Sequence, residues 1–294
     1  MRDRTGLGIA FVSPWLLGFL VFTLGPVLVT FGLSLTEYRI LTPPKFVGLD
    51  NYIQLLGDKD YFWPALGNTL FLFLELPVAL ILGLALALML DQKVKGMTFY
   101  RTVLFLPSIV PYVASALLWR WLLNPEYGLI NQGLRSIHVA GPTWLQSPLW
   151  SKPAIILADL WGVGGSMIIY LAALQGVSPS LHEAAELDGA KGFGKLWHVT
   201  IPAISPVILF NAIMGMIGTF QYFAQAFIMT DGKGGPDKST LFYALQLYKD
   251  AFENFRMGTA SAMAWILFVI TLVATAILFR TSARWVYYEE EKGS

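Results

Sequence analysis

The sequence predicts an all-α integral membrane protein with six transmembrane helices. Three observations predict it. Hydrophobic residues make up 55% of the 294 residues and charged residues only 13%, about half the charged share of a soluble chain. A soluble domain of this length has too little interior to hide that surface, and the mean hydropathy is +0.59. Six long stretches are nearly free of charge, each near the ~20 residues a helix needs to cross a bilayer. Finally, Gly18, Pro26, Pro77, Pro107 and Pro111 fall inside those stretches, where membrane helices tolerate them and open backbone facing lipid is forbidden. The same composition excludes several functions. Cysteine is absent, which removes disulfides, iron–sulfur clusters and thiol catalysis. Three histidines (His138, His182, His198) leave little room for a metal site, and 20 basic against 19 acidic residues leave no nucleic-acid footprint.

Taken in order, the spans fall at about 7–35, 64–90, 100–123, 153–175, 203–229 and 258–281, within one transmembrane domain covering 1–294. The first is retained, because its uncharged stretch far exceeds the 7–15 apolar residues of a cleaved signal. Glu75 alone interrupts the second stretch and Asp159 the fourth. Residues 124–152 mix Gly, Pro, Trp and Leu and read as a re-entrant or interfacial segment. An even number of spans puts both termini on one side. Lys and Arg divide ten against ten between the two sides, so the positive-inside rule does not fix the orientation. The run Glu289–Glu291 with Lys292 reads as a solvated tail.

The segment 178–202 breaks the apolar pattern. Ser178 before Pro179 is a helix start, and Ser180 with Glu183 fits a capping box. Strong helix formers run to Asp188, and Gly189 supplies a left-handed stop. A second short helix is expected from Lys191 to Val199, with Phe193, Leu196 and Trp197 on one side and Lys191 and Lys195 on the other. Thr200 and Pro202 then open the next span. Ala184 and Ala185 lie together on the first helix, flanked by Glu183, Glu186 and Asp188. This is either a docking knob for another protein or an amphipathic loop resting on lipid headgroups.

Here the chain resembles a known family. Glu183-Ala184-Ala185-x-x-Asp188-Gly189-Ala190, followed by Val199-x-Ile201-Pro202, is similar to the EAA loop of ATP-binding-cassette (ABC) importer permeases, with Leu196 and Ile201 as conservative departures. Thr230 and Gly234-Gly235-Pro236 resemble the segment after span five of carbohydrate-type permeases, with two additional residues. Leu247-Tyr248, Ala251-Phe252, Met257-Gly258 and Ala260–Trp265 resemble its lead-in to the last span. Val47–Tyr52 and Asn68-Thr69 resemble its first outer loop and second span. The C-terminal run from Arg284 resembles the first, maltose-permease-like member of a permease pair.

The resemblance implies a type I importer permease fold with a cytoplasmic two-short-helix coupling loop. It implies residence in the prokaryotic cytoplasmic (inner) membrane, multi-pass, with both termini cytoplasmic. It implies a second permease subunit in a heterodimer, two ABC ATPase subunits and an extracytoplasmic solute-binding protein. ATP and Mg would be used by the ATPase subunits, with no cofactor on this chain and no catalysis by it. Glu183, Ala184, Ala185, Asp188, Gly189, Ala190 and Pro202 would couple to the ATPase.

The substrate path needs polar and aromatic groups within the membrane. A carboxylate there costs about 2.5–3.5 kcal/mol on insertion scales and is a functional candidate by default. Asp159, with Trp161 nearby, reads as a pathway group or as an interface residue reaching water. Glu75 reads as a pathway group or as a packed carboxylate bonded to a neighbour. Asn211, Gly218, Tyr222 and Gln225 recur at helical spacing, and Gln221 adjoins them, so this face is expected to line the path, the alternative being helix–helix packing. Small residues from Gly258 to Ala264 are expected to serve close helix packing. The run from Gly232 to Ser239 is a turn, because Asp237 stands where a phosphate loop requires glycine. Alternative readings are a permease for glycerol phosphate or a polyol, and an ion-coupled secondary transporter, which would show a coupling-ion site and an inverted repeat. The spans carry no basic residue for a phosphorylated substrate, which favours neutral sugars.

Overall fold

The computed structural model describes residues 3–92 and 94–287. The charged tail 289–292 lies outside them, as do Arg2 and Lys93 of the charge count. The described chain is mostly helical. Four helices are long and apolar enough to cross a membrane: Gly8–Ser34, Phe62–Leu90, Phe193–Phe220 and Met257–Ser282. Two bent pairs, Met97–Ile109 with Tyr112–Leu122 and Ser151–Leu160 with Gly164–Gly176, bring the number to six if each pair is one span.

Contacts divide the chain into two compact units. One holds residues up to Trp63 with Gln246–Val269. Its extended segment is a two-stranded antiparallel hairpin, Thr36–Arg39 with Thr42–Phe46, which the helical reading omitted. The signal was short: Thr36, Tyr38 and Ile40 alternate with charged residues over too few positions to stand out. Asn51 ties this unit together, donating to the carbonyls of Ser34 (2.8 Å) and Thr36 (2.9 Å). Gly258 lies against the Thr36 carbonyl, where a Cβ would overlap it. The small residues that open the last helix thus serve close packing. Asp250 is buried and accepts from Gln246 (3.0 Å), Asn254 (3.1 Å) and the Arg256 guanidinium.

The other unit holds Pro64–Leu245 with the chain from Ile270 on. Gly164–Gly176 packs along Glu75–Leu90, with Ala87, Leu90, Met167, Tyr170 and Leu174 in one buried cluster. Gly83 makes the approach possible, since a Cβ there would meet Ser166 Oγ at 2.7 Å. A second cluster gathers Leu72, Ala116, Ile155, Ala226 and Phe242. The segment 238–243 is strapped to the helices beside it. Asn68 donates to the carbonyls of Lys238 (2.7 Å) and Leu241 (3.1 Å) and accepts from Lys152 (3.0 Å), while Thr69 accepts the Tyr243 N–H (2.8 Å).

The helices depart from the expected boundaries in three places. Where the third and fourth spans are expected, the two helix pairs are bent by 97° and 44°. The fifth does not run to 229: it stops at Phe220, and a separate helix covers Ala224–Met229. The second short helix of the 178–202 loop is not closed off either. Phe193–Lys195 continues through a π turn, Leu196–Thr200, into Ile201–Phe220. Pro202 comes just after that π turn. A proline inside a helix lacks the N–H and crowds the carbonyl four residues back, and a π turn before it absorbs the clash without ending the helix. The first span repeats the pattern, with a π turn at Leu20–Leu24 just before Pro26.

Candidate functional site

Four helix breaks in the second unit meet at one cavity of about 400 Å³. Phe62–Leu72 gives way to Glu75–Leu90, and Glu75 opens the second piece. Pro111 caps the start of Tyr112–Leu122 with extended ψ. Ser151–Leu160 stops before Gly162, and Gly164–Gly176 resumes. Phe220 ends the long helix, and Gln221–Phe223 precede Ala224–Met229. The cavity is lined at these breaks by Glu75, Tyr112, Asp159, Gln221, Tyr222 and Gln225, with Gly162, Gly215 and Gly218 among its other walls. Broken spans free backbone polar groups, which membrane proteins tolerate where the backbone lines a cavity.

The polar side chains are arranged around Asp159. Tyr222 and Gln225 turn their polar ends toward its carboxylate. Its Oδ2 is hidden from solvent and has no partner at hydrogen-bond distance, so Asp159 does not reach out to water. The Tyr222 hydroxyl donates to Gln225 Oε1 (3.4 Å). Glu75 and Asp159 line the same cavity. Glu75 opens its helix piece, and Asp159 lies near the end of its own. Among the described lining residues there is no Lys, Arg or His.

Five of the seven candidate pathway residues therefore come together: Glu75, Asp159, Gln221, Tyr222 and Gln225. Asn211 and Trp161 stand apart. Asn211 is buried and donates to the Val207 carbonyl one turn back (3.0 Å). Trp161 meets Trp119 edge-on, 6.2 Å between ring centres. Sequence reasoning missed Tyr112, Gly162 and Gly215 as lining residues. Two signals were present, Pro107 and Pro111 spaced to break a helix, and the Gly162-x-Gly164-Gly165 run.

A second cleft of about 590 Å³ lies at the other ends of Tyr112–Leu122 and Ala224–Met229. There Arg120 forms a two-pronged ion pair with Asp231, one prong at 2.7 Å, and also donates to the Ile228 carbonyl (3.3 Å). That hydrogen-bonded guanidinium holds the Asp231 carboxyl below its usual range. The expected T-x-G-G-P segment supplies Thr230, Gly235 and Pro236 to this cleft.

The 178–202 loop presents a different surface. Ser178 is the N-cap with extended backbone and Pro179 follows at the first position. The Ser178 side chain makes no cap bond and pairs instead with Ser180 (2.8 Å). The helix Pro179–Leu187 ends in a paired stop: Gly189 has φ +80°, its N–H bonds Glu186 O (3.0 Å), and the Ala190 N–H bonds Ala185 O (2.9 Å). This is the Schellman geometry, in which glycine takes the left-handed position. Lys195 pairs with Glu186 and holds that carboxyl below its usual range. Glu183, Ala184 and Asp188 are exposed, and Leu187 is 90% exposed. Pro202 lies on the long helix beyond the π turn.

Residues 79–286 match the model of a family described as the binding-protein-dependent transport system inner membrane component. The probable ABC transporter permease protein YesP of Bacillus subtilis is 40% identical over 99% of this chain and 95% of its own. The lactose transport system permease protein LacF of Rhizobium radiobacter is 37% identical over 92% of this chain and 91% of its own. A solved bacterial ABC transporter involved in the import of the acidic polysaccharide alginate has a chain that superposes with a TM-score of 0.83. That chain is 25% identical, with 96% of each chain covered.

Proposed function

The chain belongs to the family of binding-protein-dependent transport system inner membrane components, and from that premise we propose that it forms half of the solute pathway of an ATP-driven saccharide importer. The observation that carries the reading is the cavity at the four helix breaks, polar and aromatic at membrane depth. Amides, carboxylates and a tyrosine hydroxyl suit the hydroxyl groups of a sugar, and the faces of Tyr112 and Tyr222 suit its rings. The relative named for lactose and the neighbour named for alginate support a saccharide as the solute.

The remaining parts of the machine belong to the same reading. A second permease completes the pathway, two ATPase subunits hydrolyse ATP with Mg, and an extracytoplasmic binding protein delivers solute. Both termini and the 178–202 loop then face the cytoplasm. The exposed apolar end of Pro179–Leu187, with Glu183, Ala184, Ala185 and Asp188, seats on the ATPase. Gly189 and Ala190 hold the bend. Because Phe193–Phe220 is one helix through its π turn, a push on the loop reaches the cavity wall at Gly215 and Gly218 along a rigid rod. The pathway alternates between outward- and inward-open packings.

The test is ATPase activity of the assembly in lipid, with a panel of neutral sugars and glycerol phosphate. One saccharide is expected to stimulate hydrolysis. Glu183→Lys or Gly189→Pro is expected to abolish stimulation and uptake while the chain still inserts; proline cannot adopt φ +80°. Intact coupling in both variants would refute the loop's role. Failure to copurify an ATPase would refute the importer.

A further inference from the structure

The cleft beside Arg120 and Asp231 is a second hollow with no part in the proposed function. Its volume of about 590 Å³ falls within the roughly 300–1,000 Å³ of a small-molecule pocket. Two aromatic rings line it and stay open to solvent, Trp121 at 47% and Tyr127 at 55% exposure. Gln146 and Lys233, also exposed, add an amide and an ammonium. An aromatic face covers the C–H side of a sugar ring, and amide and ammonium groups bond its hydroxyls.

One wall of the cleft is fixed in advance. Asp231 holds a left-handed backbone, φ +52°, where glycine would be freer, and its carboxylate takes both prongs of Arg120. Arg120 also donates to the Ile228 carbonyl (3.3 Å), which ties Tyr112–Leu122 to the end of Ala224–Met229. A wall held this way meets a ligand with little further ordering cost. The same two helices reach the inner cavity. Tyr112 lines that cavity and Trp121 lines the cleft, about 14 Å apart along one helix axis.

We infer that this cleft is a second saccharide subsite, which takes a neutral sugar on Trp121 and Tyr127 before it passes to the inner cavity. The inference rests on the saccharide reading and on its orientation, which puts this end of Tyr112–Leu122 on the outer side. Trp121, Tyr127, Gln146 and Lys233 make the contacts, and the Arg120–Asp231 pair positions the wall behind them.

The experiment photolyses diazirine derivatives of lactose, maltose and trehalose with the assembled transporter in lipid, without its binding protein, and maps the labelled residues by mass spectrometry. Labelling is expected at two places, 121–127 with 143–146 and 215–225, and excess unmodified sugar is expected to suppress both. Trp121→Ala is expected to lower labelling of the cleft roughly fivefold, about the worth of one ring contact, and to leave labelling of the cavity unchanged. Trp121→Phe keeps a ring and is expected to restore most of the loss. Gly218→Leu is expected to do the reverse of Trp121→Ala, since a Cβ at Gly218 meets nothing within 4 Å and the larger side chain fills the cavity. Labelling confined to 215–225, or cleft labelling unmoved by Trp121→Ala, would overturn the subsite and leave the saccharide reading standing. A cleft that takes no sugar, yet is protected from hydrogen exchange at 121–127 by the binding protein, would give the cleft to a protein loop and overturn the subsite as well. No labelling by any sugar of the panel would overturn the saccharide reading itself.

Discussion

The two hollows of the second unit are built on the same two helices, Tyr112–Leu122 and Ala224–Met229, and differ in how they treat a carboxylate. At one end Asp231 is gripped by Arg120 with both prongs of the guanidinium. At the other, Asp159 and Glu75 line a cavity whose described lining residues include no Lys, Arg or His. A paired carboxylate near the surface is a fastening. An unpaired one at membrane depth carries a desolvation cost that its own fold does not recover, and such a cost is the mark of a group kept for a ligand. The difference shows that the acids of this chain divide by partner rather than by depth, since Asp250, also buried, is a fastening as well.

The largest way to test this division is Asp250→Ala. It removes the acceptor shared by Gln246, Asn254 and Arg256, and breaking a buried pair is expected to cost about 3 kcal/mol, read as a fall in unfolding midpoint in detergent. The opposite sign is expected at the cavity. Asp159→Asn replaces a buried acid whose Oδ2 has no partner, and easing its desolvation cost is expected to raise stability by up to about 1 kcal/mol; a large loss instead would mean that Asp159 is a fastening after all. Lys152→Met is expected to cost about 1 kcal/mol, through the lost bond to Asn68 and the ammonium lying 4.8 Å from the Phe71 ring centre. A midpoint unchanged in that variant would show that the strap on 238–243 holds without it.

The smallest effect is expected at Asp231. Its pair is exposed, so Asp231→Asn is expected to cost well under 1 kcal/mol. The sign of its pH dependence is fixed. Arg120 lowers the carboxyl's titration in the folded state, so the contribution is full above the ordinary carboxylate range. It is lost as pH falls through the lowered folded value. Wild type minus Asp231→Asn is therefore expected to shrink on acidification and be flat near neutrality. A difference that grows on acidification would break the assignment.

Much of this was legible in residues taken singly. A carboxylate in an otherwise uncharged span is conspicuous, which is how Glu75 and Asp159 were found. Proline after serine and glycine after a run of helix formers located the start and stop of Pro179–Leu187, because both signals are local. Asn211 shows where the method failed. It shares the helix Ile201–Phe220 with Gly218, two turns on, and Gly218, Tyr222 and Gln225 line the cavity while Asn211 does not. Helical spacing does not say how deep a side chain is buried, and Asn211 is buried with its amide bonded to the Val207 carbonyl.

The sequence by itself determined the solvent class of the chain, the approximate spans, the EAA-type loop and the polar residues worth watching, since each follows from composition or from contacts within a few positions. Only the tertiary structure decided that breaks in four separate spans meet at one cavity, that Arg120 answers Asp231 across 111 positions, and that the described residues lining the cavity with Glu75 and Asp159 include no cation. Those outcomes depend on which helix ends are brought together, and a pairing between distant segments is not encoded in any local pattern of residues.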